Sequence, residues 1–301
     1  MKISLPIPLF FVKKQIRKFR DKAQWENIPR SRMGFEKIGK RFAYNSSSCT
    51  YAMEEVQHCK GEWIRPKGAP KNKVLLYFHG GGYAVGSVAT YRTMLTKLAL
   101  YSNLNIFSFE YRLAPENPYP AAVEDAVMAY QWLIAKEFAP DNIAFGGDSA
   151  GGGLTLATLL YLRDKEKPLP ACAICLSPWT DLTLSGASFS DKKAEDPMLI
   201  KEAFPFWAQN YYGNHDPKTP YISPLFADCT GLPPIYIHVG SDELLLSDST
   251  RFCEKAKAQG VEVEMEIFKN YFHVFHMFWQ ILPKGKKALK KLAVFLNKKL
   301  A

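Results

Sequence analysis

The residues best suited to chemistry lie in Gly147-Asp148-Ser149-Ala150-Gly151, a Gly-x-Ser-x-Gly pentapeptide that follows a short apolar run and precedes a helical pattern. A serine hydroxyl is a poor nucleophile unless it is held at a tight strand-to-helix corner beside a general base. Such a corner leaves no room for side chains at its flanks. Gly147 and Gly151 would supply that room, so Ser149 is the candidate nucleophile. The pentapeptide is not specific by itself, and the prediction depends on partners elsewhere in the chain.

A second glycine-rich element, His79-Gly80-Gly81-Gly82, follows the apolar run 74–78. Successive glycines let backbone N–H groups point into a cavity, and acyl transfer needs two or three such donors where a carbonyl oxygen becomes an anion. We predict an oxyanion hole made by the N–H groups of Gly80, Gly81 and Ala150, with a flexible turn as the alternative. A phosphate-binding loop is disfavoured, because neither glycine cluster continues into Lys-Ser/Thr or has Gly-x-Gly-x-x-Gly spacing.

A serine nucleophile also needs a base that takes its proton and an acid that orients the base. In α/β hydrolases the acid and then the histidine follow the serine along the chain. Asp242 comes soon after the apolar run 235–239, and His273 comes soon after the run 261–268. We therefore predict Asp242 as the acid and His273 as the base.

Alternatives to this acid and this base remain open at nearby positions: Glu243 and Asp248 for the acid, and His276 for the base. We predict no catalytic role for the remaining histidines, and we expect His238, which lies within a strand pattern, to be hydrogen-bonded in the core. No histidine is spaced from carboxylates in the way that metal ligands usually are. The sequence therefore predicts no metal site.

Apolar runs that alternate with helical patterns must position these residues. The runs 74–78, 105–109, 143–145, 171–176, 235–239 and 261–268 are continuous, as in strands buried on both faces. Helical patterns lie between them or follow them, at 91–101, 121–138, 152–164, 247–259 and 272–300. This alternation predicts an α/β fold with a mostly parallel central sheet flanked by helices, and two further strands are expected within 42–65. Functional groups in such sheets gather beyond the carboxyl ends of the strands, where each candidate lies.

Residues 180–233 interrupt the alternation and are rich in proline, serine, aspartate and aromatic residues. The stretch is long for a simple connection, which predicts an inserted lid or helical cap that the N-terminal segment completes. The predicted organisation is an N-terminal cap segment, 1–45, and a catalytic domain, 46–301, with a cap insertion at about 180–220.

The net charge of +10 arises at the two ends of the chain. Residues 1–41 carry a net +9 and residues 284–301 a net +7, so the remaining 242 residues sum to −6. Leu9, Val12, Ile16 and Phe19 recur at helical spacing among basic residues, which predicts a basic amphipathic helix. Packing on the body and contact with a membrane surface are both open for this helix, whereas the acidic body disfavours nucleic-acid binding.

Localisation is predicted from the N-terminal segment and the cysteines. The apolar segment 3–12 contains two prolines and is too short to cross a bilayer, and no small-x-small cleavage site precedes Lys13. The six cysteines are sparse for this length, which indicates reduced thiols, and Cys172 and Cys175 are expected to be buried in a strand. We predict a cytoplasmic protein, with association at the membrane periphery as the alternative.

Taken together, the motifs resemble those of the hormone-sensitive-lipase-like esterases of the α/β-hydrolase superfamily. Over roughly residues 60–280 the matching pieces follow the family order: His79-Gly80-Gly81-Gly82, Tyr111-Arg112-Leu113-Ala114-Pro115-Glu116, Pro120-Ala121-Ala122-Val123-Glu124-Asp125, Gly147-Asp148-Ser149-Ala150-Gly151, Ser223-Pro224, Asp242 with Leu244, and His273-Val274-Phe275. The chain departs from the family pattern at Glu243, where proline is commoner, and in its basic N-terminal segment.

This resemblance implies a carboxylic ester hydrolase that needs no cofactor and acts on a small-molecule ester, with a homodimer formed through the last strand edge. It also implies supporting roles for His79, Gly82, Asp148 and the 111–116 turn. The expected activity is hydrolysis of short-to-medium acyl esters through an acyl-enzyme. A lipase or an amidase for bulkier substrates is one alternative. A non-catalytic ligand-binding receptor on the same fold is another, which the presence of His273 disfavours.

Overall fold

The apolar runs of the sequence form the strands of one mixed sheet. The structure, a computed structural model, describes residues 8–21, 24–191 and 196–301. Within these residues the strands are β1 Cys49–Val56, β2 Cys59–Pro66, β3 Val74–Phe78, β4 Asn105–Glu110, β5 Ile143–Asp148, β6 Cys172–Leu176, β7 Ile235–Gly240 and β8 Val263–Phe268. Their order across the sheet is β1-β2-β4-β3-β5-β6-β7-β8. The pairs β1–β2 and β2–β4 are antiparallel and the other neighbours are parallel.

The described helices are α1 Leu9–Arg20, α2 Ile28–Arg41, α3 Val88–Ser102, α4 Ala121–Ala135, α5 Ala150–Asp164, α6 Ala187–Ser190, α7 Phe204–Tyr212, α8 Leu246–Ala258 and α9 Pro283–Lys299. Local sequence explains several of their starts. The side chain of Asn27 accepts a hydrogen bond from the N–H of Arg30 at 3.0 Å and caps α2. Ser87 caps α3 in the same way, and Pro283 begins α9, where a missing N–H costs nothing.

Both faces of the sheet are buried, which explains why the strand sequences are continuously apolar. Every residue of β3 is buried, and its alternate side chains join different hydrophobic clusters, Leu76 on one face and Leu75 on the other. Helices α4, α5 and α8 contribute to the first cluster, and α3 and α9 contribute to the second. The predicted mostly parallel sheet flanked by helices is confirmed.

The predicted helix at 272–300 is wrong in its first third. Val274 has a left-handed backbone, with φ of 43°, and only a short 3-10 turn, Phe275–Phe278, follows it. The α-helical part begins at Pro283. The break keeps His273 on a loop beyond the end of β8.

At the N-terminus, α1 is the predicted amphipathic helix, and its Val12 and Ile16 are buried. Phe19, predicted in the same apolar stripe, is instead 64% exposed. Most of the apolar segment 3–12 lies outside the described residues. No helix within the described residues is both long enough and apolar enough to cross a bilayer. All six cysteines are free, and Cys172 and Cys175 are buried in β6, as predicted.

Two isoleucines on neighbouring strands offer a matched test of this packing. Ile237 of β7 is fully buried and Ile267 of β8 is 46% exposed. We expect Ile237→Ala to lower the free energy of unfolding by about 2–5 kcal/mol, because it removes buried methyl groups and leaves a cavity. Ile267→Ala should cost about 1 kcal/mol or less. Denaturant unfolding measures both, and equal losses would contradict the burial pattern.

Candidate active site

Ser149 occupies the corner between β5 and α5. Its backbone has φ of 53° and ψ of −122°, a strained conformation for a residue with a side chain. A Cβ added at Gly147 would lie 2.1 Å from the carbonyl oxygen of Gly151, and one added at Gly151 would lie 2.1 Å from that of Phe78. Only glycine fits at these two positions, which is the geometry that the pentapeptide predicts.

The 79–82 loop lies against this corner, but one of its predicted donors is already used. The N–H of Gly80 donates to Oδ1 of Asp148 at 3.0 Å, so the prediction that Gly80 lines an oxyanion hole is wrong. The N–H groups of Gly81 and Gly82 have no hydrogen-bond partner among the described residues. Ala150 is the first residue of α5, and the N–H groups in the first turn of a helix have no partner within the helix. The available donors are therefore those of Gly81, Gly82 and Ala150.

Asp148 ties the serine corner to this loop. Its Oδ1 accepts hydrogen bonds from the hydroxyl of Tyr77 at 2.9 Å as well as from Gly80. Burial raises the pKa of the Asp148 carboxyl to about 6, and hydrogen bonds from Tyr77 and Tyr91 oppose that rise. The supporting position predicted for Asp148 is thus a bridge between the corner at Ser149 and the 79–82 loop.

His79 stabilises the start of the loop through contacts with Tyr111. Its carbonyl oxygen accepts a hydrogen bond from the hydroxyl of Tyr111 at 2.7 Å, and its ring stacks on that of Tyr111 with centroids 4.6 Å apart. Burial lowers the pKa of His79 to about 4, so the imidazole is neutral. Gly82, the last residue of the loop, packs closely against Trp207 of α7. An added Cβ at Gly82 would be 2.1 Å from the indole ring.

The acid that faces the candidate base is Glu243. Its Oε2 lies 2.8 Å from Nδ1 of His273, and both side chains are almost fully buried. Oε1 of Glu243 accepts a hydrogen bond from the hydroxyl of Ser177 at 2.9 Å. Burial lowers the pKa of His273, but the hydrogen bond and charge of Glu243, with the charges of Asp196 and Asp148, raise it above 6.5 overall.

The prediction of Asp242 as the acid is wrong. Its Oδ2 lies 2.6 Å from Nζ of Lys13 in α1, and its side chain is 34% exposed. Strand β7 ends at Gly240, and the N–H of Asp242 then donates to the carbonyl of Tyr271 at 2.9 Å. The Asp242 side chain faces α1 on this path, whereas Glu243 turns inward and accepts a hydrogen bond from the N–H of Gly240.

His276 and Asp248, the remaining candidates for the base and the acid, have structural partners. Nε2 of His276 lies 3.2 Å from Nδ1 of His238, and both rings are buried. Oδ1 of Asp248 accepts hydrogen bonds from the N–H groups of Thr180 and Asp181. His276 is therefore not the partner of Glu243, and Asp248 stabilises the loop after β6 through its two hydrogen bonds.

Sequence reasoning missed Asp196, which supports the acid. Its Oδ2 accepts from the N–H of Leu244 at 3.2 Å, and its Oδ1 accepts from Met198 and Leu199 at 2.8 and 3.1 Å. Burial raises the pKa of this carboxyl to about 6. An aspartate before a proline in the insertion was the only available signal, and that pair is common in ordinary turns.

Two arginines connect the 111–116 turn to neighbouring helices through ion pairs. Arg32 of α2 makes a bidentate pair with Glu116, with nitrogen–oxygen distances of 2.9 and 2.7 Å. Arg112 contacts both carboxylate oxygens of Asp125 in α4 through its Nε at 2.9 Å. The turn therefore joins α2 to α4.

One cluster of potential metal ligands occurs within the described residues. His58, Cys59 and Asp125 bring donor atoms within 4.8 Å of one another. Sequence spacing did not reveal it, because the first two residues lie in the β1–β2 hairpin and Asp125 lies far along the chain in α4. Arg112 already occupies both carboxylate oxygens of Asp125. The absence of a metal stays a prediction.

Comparisons with known proteins identify the family of the chain. A family model described as an alpha/beta hydrolase fold matches residues 75–277. The chain belongs to that family. It is 41% identical over 242 residues to an acetyl-hydrolase of Streptomyces hygroscopicus, covering 80% of this chain and 81% of the relative. An esterase of Acinetobacter venetianus is 36% identical over 237 residues, which are 78% of each protein. The crystal structure of an esterase from the bacterial hormone-sensitive lipase family has a TM-score of 0.94 and 39% identity, covering 99% of this chain and 100% of that one.

These comparisons confirm the α/β-hydrolase fold and the resemblance to hormone-sensitive-lipase-like esterases. The prediction of a carboxylic ester hydrolase of the serine-hydrolase type is confirmed with them.

Neighbouring acids at 242 and 243 allow a matched substitution test. Glu243→Gln should lower kcat by about 10³–10⁴, because the amide cannot hold the imidazole in the tautomer that accepts a proton or stabilise its charged form. Asp242→Asn should change kcat by less than about threefold, because its carboxylate faces Lys13. Steady-state kinetics on a p-nitrophenyl ester measures both, and the reverse ranking would restore Asp242 as the acid.

The pH profile gives an independent check on the pairing. Only neutral His273 can take a proton from a serine, so kcat/KM should fall as pH drops through a pKa above 6.5. In Glu243→Gln the carboxylate charge that raises this pKa is gone. The acid limb of the residual activity should therefore move to lower pH. A limb at the same pH in both proteins would show that Glu243 does not control the titrating group.

Proposed function

We propose that Ser149 is the nucleophile, His273 the general base and Glu243 the acid that orients it, in the hydrolysis of short-to-medium acyl esters. The buried hydrogen bond between His273 and Glu243 is the observation that carries the proposal. A histidine held in this way donates its Nδ1–H to the acid and keeps Nε2 free to accept a proton.

The proposed reaction has two halves. Oγ of Ser149 attacks the ester carbonyl while its proton passes to Nε2 of His273. The carbonyl oxygen becomes an anion that accepts hydrogen bonds from the N–H groups of Gly81, Gly82 and Ala150, and collapse of this intermediate expels the alcohol with the proton from His273. Water then attacks the acyl-serine, giving its proton to His273, and the carboxylic acid leaves as the Oγ–carbon bond breaks and the proton returns to Ser149.

A small acyl group is favoured by the aromatic side chains around the glycine loop. Trp207 covers Gly82. The ring of Tyr83 stacks on that of Tyr211 of α7, with centroids 3.6 Å apart and planes 7° apart. The stacked tyrosines are buried and hold α7 against the residue that follows Gly82. Trp207 of α7 thereby limits the space beside the proposed oxyanion donors, which supports short-to-medium acyl chains over the bulkier substrates of a lipase or an amidase.

A non-catalytic receptor on this fold would have no need for a buried ionic partner behind His273. Burying a carboxylate costs free energy unless it is hydrogen-bonded, and the hydrogen bond here orients the imidazole. The His273–Glu243 pair therefore supports catalysis over binding alone.

Several wider features belong to the same proposal. We propose a cap formed by the segment 1–45 and an insertion at about 180–220, of which residues 1–7, 22–23 and 192–195 lie outside the described part. We also propose a cytoplasmic location, no nucleic-acid partner and a homodimer through β8, which ends the sheet and carries Ile267 with 46% of its surface exposed. Contact of α1 with a membrane surface completes the proposal.

A series of p-nitrophenyl esters from acetate to palmitate tests this function. We expect kcat/KM to be highest for acyl chains of about two to eight carbons, because the aromatic rings restrict the pocket. Ser149→Ala should lower kcat by about 10⁴–10⁶ on every ester, which shows that hydrolysis arises at this site. Near-native turnover by Ser149→Ala would refute the assignment, and activity only on emulsified long chains would favour a lipase.

A further inference from the structure

The outer face of α1 carries exposed aromatic rings among lysines. Phe10 is 66% exposed and Phe11 is 55% exposed, and Lys14 and Lys18 are exposed beside them. Phe10, Lys14 and Lys18 are four residues apart and so form one row along the helix. Phe10, Phe11, Lys14 and Lys18 are the α1 outer face, and exposed apolar groups concentrated in this way mark an interaction surface.

The opposite side of α1 lies on the proposed active-site loop. Val12 and Ile16 join a hydrophobic cluster with Phe272 and Phe275, which flank His273 in the chain. Lys13 pairs with Asp242, the neighbour of Glu243, at 2.6 Å. The α1 outer face is thus about 10 Å, one helix diameter, from the loop that bears the proposed base.

The charge of α1 indicates what this face binds. The helix contains five basic residues and no acidic residue (LFFVKKQIRKFR). A partner must therefore be negatively charged and must also accept aromatic rings. The surface of an anionic lipid bilayer meets both requirements, because rings insert at the headgroup level while lysines pair with the headgroups. A second copy that docked through the same face would bring like charges together.

We propose that the α1 outer face docks on an anionic lipid surface and that the protein hydrolyses esters presented there. The docking step depends only on the exposed rings and lysines of the α1 outer face. The hydrolysis step also rests on the function proposed for Ser149. Docking would hold the cap side of the molecule, and with it the 273 loop, next to the lipid.

Co-sedimentation with vesicles tests the docking step with the full-length protein. Wild type should sediment with vesicles of phosphatidylcholine and phosphatidylserine and stay in solution with phosphatidylcholine alone. Lys14→Glu/Lys18→Glu and Phe10→Ser/Phe11→Ser should each lower partitioning about tenfold or more. Lys165→Glu/Lys167→Glu is a control that makes the same charge change at exposed residues of the body, and it should partition as wild type.

Three outcomes would overturn the docking step. Equal partitioning of wild type to both kinds of vesicle would show that charge complementarity is absent. An equal loss in the 165/167 control would show that net charge matters and the α1 outer face does not. A wild-type dimer that becomes a monomer in the phenylalanine variant, with no vesicle binding, would assign the face to a contact between copies.

The hydrolysis step is tested by comparing two esters. The two α1 variants should hydrolyse water-soluble p-nitrophenyl acetate as wild type does, and they should hydrolyse a p-nitrophenyl ester embedded in anionic vesicles at least about tenfold more slowly. Equal rates on the embedded ester would overturn presentation by the lipid. Failure of wild type to hydrolyse p-nitrophenyl acetate would instead overturn the proposed function, while the sedimentation result would still report on docking.

Discussion

The close approach of the first turn of α5 to the end of β3 is the constraint on which the site depends. At Gly151 the helix backbone meets the carbonyl of Phe78 so closely that no Cβ fits, and Gly147 meets Gly151 in the same way. This contact fixes the strained corner at Ser149 and sets it beside the glycine loop that leaves β3. Asp148 then joins the two by accepting the Gly80 N–H. The donors and the proposed nucleophile are thereby preorganised by backbone packing, which changes little when substrate binds.

The parts of the fold and site set by local sequence could be predicted. Continuous apolar runs specify strands buried on both faces, and glycine spacing specifies the corner, so the sheet and the position of Ser149 followed from neighbours in the chain. His273 could be named because it comes shortly after a strand that ends at the same edge. The helix predicted from 272 was wrong because a left-handed Val274 interrupts a helical pattern that its side chains alone did not reveal.

The acid could not be chosen from sequence, because the choice between adjacent carboxylates depends on the path of a turn. A contact of the Asp242 N–H with Tyr271, in the loop after β8, turns one carboxylate toward α1 and the other toward His273. The hydrogen bond from the Gly80 N–H to Asp148 is likewise a long-range contact, and it joins two motifs that the sequence identifies separately. Asp196 and the His58, Cys59 and Asp125 cluster belong to the same class, since only the tertiary fold brings their partners together.

One of the contacts between the 111–116 turn and α2 is sensitive to ionic strength. Its pair to α2, Arg32 with Glu116, has side chains that are 31% and 56% exposed, whereas the Asp125 partner of Arg112 is fully buried. Dissolved salt screens exposed charges far more than buried ones. Rising salt therefore weakens the ion pair of Arg32 with Glu116 more than the ion pair of Arg112 with Asp125. Salt therefore tunes only one of several contacts of α2, because Arg32 also donates hydrogen bonds to the carbonyls of Ala84 and Ala114, and Ile28 is buried against Ala84 and Val85.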